Sequence, residues 1–350
     1  GLRTPEFCEK VIAEGMADFV ALGRQLLADP QWPNKVYNNR LDDIRECTSC
    51  LECLGILSGR VGDTRCAINV ALGREREFGE IKTAKLKRRI LVVGSGPGGM
   101  EAARIAAIRG HTVTLYEKKT VIGGQLLLAA KPPGKEKLLR FRDYQVNQLR
   151  KLAVPIKLGV EVTSKLINET KPDVVIVATG AKPVDAPMPV ANDSNVVHAW
   201  TVLEDKMKIK RQRVVVIGGG MIGAETAEYL AGHANSVTII EILKRIADDM
   251  EMFNRKGLLD ALYEKNVTFL TEHQAMEIVR LGVVVMDKRS GARELIEANQ
   301  VVLATGAMPD KSLVQALQDR ISQLYSIGDC KQPRNIMSAV YEGAFVAMQI

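Results

Sequence analysis

What this 350-residue sequence lacks narrows it first. No run of about 18 apolar residues occurs, so no membrane-spanning helix is expected. Residue 1 is Gly, and the opening GLRTPEF has none of the basic-then-apolar pattern of an export leader. The chain reads as a piece whose true start lies upstream. Cysteine is absent from the whole span between Cys66 and Cys330. Four of the six sit at Cys47, Cys50, Cys53 and Cys66, the wrong distribution for a secreted disulfide scaffold and one that fits a reducing, cytoplasmic setting. Histidine is scarce: His111, His198, His233 and His273 are scattered, and each reads as an ordinary surface or packing residue. No side chain stands out as a catalytic acid, base or nucleophile, so no catalytic residue is named. The net charge of +7 comes partly from two basic runs, Lys85–Arg89 and Lys206–Arg213. Neither is interleaved with aromatics, so both read as solvated linkers rather than nucleic-acid patches.

What is present is organised around Lys87–Glu117. It reads as a basic lead-in, an apolar strand, a turn with Gly94, Gly96 and Gly99, a helix, and a second strand closed by Glu117. In a dinucleotide fold Gly94 allows the tight turn, Gly96 lets backbone approach a pyrophosphate, and Gly99 brings helix close to sheet. The helix N–H groups then face the phosphates, and Glu117 accepts from a ribose hydroxyl. The pattern recurs at Arg213–Glu241, with Gly218, Gly220, Gly223 and Glu241. In both copies the acid follows the first glycine by 23 residues. The exit turn Ala178-Thr179-Gly180 recurs at Ala304-Thr305-Gly306. An internal repeat of this kind implies two successive dinucleotide folds in an α/β chain. Between them a helix is expected over 135–151, strands over 156–162 and 172–180, and after them a strand at 324–330 and a final helix.

The first 83 residues are of a different kind. Thr4-Pro5-Glu6 predicts a helix start, running through Ile12 to a stop at Gly15. Ala17–Leu22 reads as a short buried strand ending in Gly23-Arg24, then a helical turn halted by Pro30. Helix, strand and Gly-Arg at the strand end look like the last unit of a (β/α)8 barrel with its phosphate site; a small independent cap is the alternative. Residues 47–66 read CTSCLECLGILSGRVGDTRC. Three close thiolates plus a distant fourth, with no histidine nearby, suit the corners of a [4Fe–4S] cube. A zinc site or unliganded thiols remain the alternatives.

Together these features resemble the flavoproteins with two dinucleotide-binding domains, a nicotinamide domain being inserted in an FAD domain. GSGPGG with Glu117, GGQL at 123–126, the first ATG and IGD at 327–329 carry the FAD half; GGGMIG with Glu241 carries the other. The resemblance implies FAD held by Gly94, Gly96, Pro97, Gly98, Gly99, Glu117, Lys118, Gly124, Gln125, Thr179, Gly180, Gly328 and Asp329. The adenine would lie on the backbone of Val162, and NADH on Gly218, Gly220, Gly223 and Glu241. With the cysteine loop and barrel-like start added, the chain is similar to the carboxyl-terminal half of the Old Yellow Enzyme-like iron–sulfur flavoenzymes. That group includes 2,4-dienoyl-CoA, enoate and bile-acid reductases and trimethylamine and histamine dehydrogenases.

That likeness implies FMN phosphate at Gly23-Arg24, in a barrel otherwise missing, and a [4Fe–4S] cluster on Cys47, Cys50, Cys53 and Cys66. Two departures stand out. Asn69 is followed by Val70 where many members have Asn-Pro, and the twelve-residue final cysteine spacing is the amine-dehydrogenase form. The implied layout is 1–46 barrel end, 47–83 cluster loop and linker, 84–210 with 313–350 FAD domain, and 211–312 nicotinamide domain. The implied activity runs from NADH through FAD and the cluster to FMN, reducing an activated C=C of a small-molecule substrate in a homo-oligomeric full-length enzyme. The alternatives are an amine dehydrogenase with ADP in the FAD site, and a non-catalytic electron-transfer subunit. Disulfide reductases of this fold carry a redox cysteine pair that this chain lacks.

Overall fold

A computed structural model of the chain describes residues 2–58 and 64–350; the stretch 59–63 of the predicted cluster loop lies outside them. The chain forms two compact units. Residues 1–126, 137–181 and 309–350 make the first, and residues 127–136 and 182–308 the second. The second is therefore inserted in the chain of the first.

The first unit is built on five parallel strands in the spatial order Leu324–Ser326, Val174–Val177, Arg89–Val93, Thr112–Glu117, Ile156–Leu158. The central strand RILVV is buried from Ile90 to Val93, as a parallel strand covered on both faces must be. Helix Pro97–Ile108 follows it and packs against the last helix, Ile336–Gln349. Contact is close enough that a Cβ on Gly343 would meet Gly98 O at 2.2 Å.

The segment before this sheet is pinned by buried polar groups. Asp29 accepts from Lys35 Nζ at 2.6 Å and from the Arg45 N–H at 2.8 Å. Asp43 accepts from Lys151, Gln148 and Arg40, fastening the segment to helix Lys137–Lys151. Burial alone would push the Asp43 carboxyl up, but the three donors hold it down at about 2.

The second unit repeats the plan. Its parallel strands lie in the order Val196–His198, Gln300–Leu303, Arg213–Ile217, Ser236–Glu241, Thr268–Thr271. An antiparallel sheet of His273–Val279, Gly282–Asp287 and Arg293–Glu297 is added.

Four expectations are corrected. Residues 17–22 form no strand, and Phe19 is exposed. A strand needs a neighbour for its backbone groups, and the described sheets take none of their strands from before Arg89. The predicted strand 156–162 stops at Leu158, because Gly159 turns at φ +70° and its N–H bonds back to Lys119 O. The stretch AINVALGREREFGE at 67–80 is helix-like in content, leading to the basic linker, yet only Glu75–Phe78 of it is α-helical. The border between units falls at 181/182 rather than 210/211, since Val196–His198 pairs with Gln300–Leu303 in the second sheet.

Candidate functional site

The turn after the first central strand is built by backbone contacts. Gly94 sits at φ +104°, where its N–H donates to Tyr116 O at 2.8 Å. A Cβ there would lie 2.3 Å from Ala178 O, so the exit turn 178–180 leaves no room for any other residue. Gly99 is equally tight, 2.0 Å from Gly94 O. Gly96 is the opposite: a Cβ on it would meet nothing within 4 Å. The turn is closed at Gly94 and Gly99 and open at Gly96, at the helix N-terminus, where a diphosphate would approach.

Glu117 closes this cradle from the side. Its Oε2 accepts from Ser95 N at 2.9 Å and from Ser95 Oγ at 2.7 Å, and its Oε1 from Lys119 N at 2.9 Å. Carboxylate oxygens have two lone-pair directions each, so Oε1 keeps capacity for a ribose hydroxyl. Ser95 is fully buried and also accepts from Gly123 N at 3.2 Å, which carries the Gly123-Gly124 segment onto the turn. Gly124 then lies so near that its Cβ would stand 2.9 Å from Gly96 Cα. Gln125 and Asp329, 204 residues apart, meet through Nε2 and Oδ2 at 3.1 Å. A Cβ on Gly180 would lie 3.3 Å from the same Gln125 nitrogen. The structure thus brings Gly94, Gly96, Gly99, Glu117, Gly124, Gln125, Gly180 and Asp329 together through this chain of contacts. Pro97 and Gly98 open its helix, and Thr179 Oγ1 ties the exit turn to Asp310 O. Gly328 begins the short 3-10 turn carrying Asp329, and its N–H is taken by Glu342. Lys118 is exposed at the strand end. Val162 is buried among Leu91, Val93 and Tyr116.

The second unit reproduces this cradle almost atom for atom. Gly218 has φ +101°, its N–H donates to Ile240 O at 2.9 Å, and a Cβ would lie 2.4 Å from Ala304 O. Gly223 would crowd Gly218 O at 1.9 Å. Glu241 accepts from Gly219 N at 2.6 Å and from Leu243 N at 2.7 Å, the same two positions that serve Glu117. At Gly220 the nearest group to a Cβ is the Asp249 carboxylate, at 3.7 Å.

The cysteine loop is the third feature. Ser49 and Leu51 take left-handed φ of 57° and 61°, bending the chain on either side of Cys50. Backbone N–H groups point at sulfur: Ser49 N lies 3.4 Å from Cys47 Sγ, Glu52 N serves Cys50, and Ile68 and Asn69 serve Cys66. Burial pushes the Cys50, Cys53 and Cys66 thiols up, and the charges of neighbouring sulfurs push the same way. Arg24 and Arg45 act in the opposite sense on Cys53 and Cys66. Among the described residues no three His, Cys, Asp or Glu side chains converge as around a single ion. The donor chemistry, four thiols with N–H groups of neighbouring residues at Cys47, Cys50 and Cys66, is of the kind that would suit an iron–sulfur cube, whose negative charge such donors would offset. Gly23 opens helix Gly23–Ala28 at the surface, and Arg24 follows it.

Sequence reasoning missed four residues that build these centres. Ser95 sits inside the glycine motif and Gly343 opposite it, while Asp249 reaches the second turn from a loop. Gln25 accepts from Cys47 N at 2.9 Å. None belongs to a spacing pattern that a single sequence displays.

Comparison with known proteins agrees with this geometry. Residues 88–343 match the family described as pyridine nucleotide-disulphide oxidoreductase. The chain is 43% identical to an NADH oxidase of Thermoanaerobacter brockii over 356 residues, all of this chain and 54% of that protein. It is 37% identical to a bilirubin reductase of Mediterraneibacter gnavus, over 98% of this chain and 53% of the relative. A solved 2-naphthoyl-CoA reductase superposes with a TM-score of 0.94 at 34% identity, covering 99% of this chain and 53% of its own. The chain thus spans about half the length of the curated relatives it matches. It belongs to the pyridine nucleotide-disulphide oxidoreductase family, as the counterpart of the carboxyl-terminal half of the Old Yellow Enzyme-like flavoenzymes.

Proposed function

We propose that this chain takes reducing equivalents from NADH onto FAD and passes them through an iron–sulfur centre toward an FMN site that reduces an activated C=C. The carrying observation is the duplicated cradle: each unit offers a glycine turn, an open or exchangeable helix N-terminus and a buried glutamate. The first would hold FAD through Gly94–Gly99, Glu117, Gly124, Gln125 and Asp329, with the Val162 backbone at the adenine. The second would hold NADH through Gly218, Gly220, Gly223 and Glu241. Bound FAD supplies the step from paired to single electrons. Cys47, Cys50, Cys53 and Cys66 would hold the cluster, and Gly23-Arg24 would contribute to the FMN phosphate site. No cysteine occurs from 67 to 329, so no thiol pair is at hand to take electrons from the flavin. The whole enzyme would act on a small molecule, as a homo-oligomer in the cytoplasm.

The test is NADH oxidation by the purified chain with ferricyanide, a tetrazolium dye or an enone as acceptor. Turnover is expected with the first two. No NADH oxidation by FAD-loaded protein would overturn the reading, and enone reduction by the chain alone would place the substrate site within it. The Cys53–Cys66 spacing favours one second reading, an amine dehydrogenase in which the first cradle holds ADP. Mass spectrometry of the released nucleotide separates them: FAD supports the reductase, ADP the dehydrogenase.

A further inference from the structure

The two cradles differ at one position. In the first unit nothing stands within 4 Å of a Cβ at Gly96, and residue 97 is proline, which has no N–H to offer. In the second unit the helix Met221–Ala231 opens with the N–H of Met221, and that donor is taken: Asp249 Oδ1 accepts it at 2.8 Å. Both Asp249 oxygens also stand over Gly220, 3.7 and 3.8 Å from where a Cβ would be.

Asp249 comes from the loop after strand Ser236–Glu241. The base of that loop is fixed, with Ile246 and Ala247 buried and Ala247 N donating to Gly219 O at 2.7 Å. Asp249 itself is exposed. A carboxylate on a side chain that can swing therefore sits on a fixed platform, bonded to a donor that a dinucleotide diphosphate would use. Glu225, paired with Lys135, and Glu228, paired with Lys265, lie on the same helix, and the Asp249 and Glu225 carboxylates repel each other.

Resting on the nicotinamide assignment above, we infer that Asp249 is an internal competitor for the pyrophosphate of the nicotinamide dinucleotide. It occupies the Met221 N–H in the empty site, must rotate away before the dinucleotide seats, and so sets the affinity of that site. A site competent for only a fraction of the time binds more weakly by that fraction. If Asp249 were only a cap that holds the loop to the helix, its removal would loosen the turn and weaken binding. The two roles predict opposite signs.

The experiment uses the full FAD-loaded chain carrying Asp249→Ala or Asp249→Asn, with ADP-ribose as calorimetric probe and NADH in steady state. Asp249→Ala is expected to bind ADP-ribose about tenfold more tightly. Asp249→Asn, which keeps an acceptor but loses the charge, falls between. The change should appear in KM for NADH rather than kcat, and should shrink at high salt as charge repulsion is screened. Unchanged or weaker binding in both variants would overturn the inference. Failure of wild type and variants alike to bind ADP-ribose, with FAD retained, would show that the nicotinamide assignment itself is wrong and remove the inference with it.

Discussion

Glu241 carries two loads, and substitution separates them. Its carboxylate accepts from Gly219 N at 2.6 Å and Leu243 N at 2.7 Å while only 8% exposed. Glu241→Ala leaves both donors behind. At about 1.5–3 kcal/mol per charge-assisted bond, and with Leu243 at the surface where water can replace the lost acceptor, the loss should be about 2–4 kcal/mol in the second unit. The same carboxylate would accept from a ribose 2′-hydroxyl and repel a 2′-phosphate. Losing a discrimination of about 1–3 kcal/mol should shrink an NADH preference by roughly five- to 150-fold. Glu241→Gln keeps an acceptor for Gly219 N but no charge, so cofactor choice should relax with a smaller loss of stability. Thermal unfolding gives the first quantity, and kcat/KM for NADH and NADPH with ferricyanide gives the second. A wild type that prefers NADPH, or an alanine variant that keeps the wild-type preference, would refute the assignment.

The other predictions rest on single contacts. Gly96→Val should leave unfolding nearly unchanged, because the space is open and φ is −67°, yet abolish FAD retention on a desalting column. Gly343→Val should instead cost about 3 kcal/mol or more in denaturant, since its Cβ would press on Gly98 O at 2.2 Å with backbone on both sides. Asp43, held near 2 against an ordinary 3.8, contributes about 2 kcal/mol that is fully present above pH 4 and lost as pH falls through 2. Asp43→Asn should flatten that part of the acid-unfolding curve. Anaerobically prepared protein should hold about four irons and four labile sulfides per chain, and one zinc without sulfide would overturn the cluster. Cys50→Ala should lose the iron but keep ferricyanide reduction.

Local chemistry was legible and tertiary chemistry was not. Gly94, Gly99 and Glu117, and their counterparts Gly218, Gly223 and Glu241, could be read because one βαβ unit spaces them within 23 residues. Residues 17–22 were misread because a short, largely apolar run describes only one half of a strand pair, and the other half decides. The Gln125–Asp329 contact was invisible as a pair, since 204 residues and an entire inserted unit separate its partners. Gly343 drew no reading from the sequence; only the facing Gly98 gives it a reason. Asp249 sat in a run of acids that would pass for solvated surface.

The insertion also has a temporal side. The second unit is continuous from 182 to 308 apart from 127–136, which precede it. Its sheet can therefore close while later residues are still being synthesised. The first unit cannot finish with it. The edge strand Leu324–Ser326, the Asp329 that meets Gln125, and the helix whose Gly343 seats on Gly98 all emerge after it. The nascent chain should thus carry a half-built first cradle, with the faces later covered by Leu324–Ser326 and Ile336–Gln349 bare, through the whole synthesis of the second unit. Limited proteolysis of stalled ribosome complexes should find 182–308 protected well before 89–181. A flavin bound as proposed would have nothing complete to hold it until helix Ile336–Gln349 has been made.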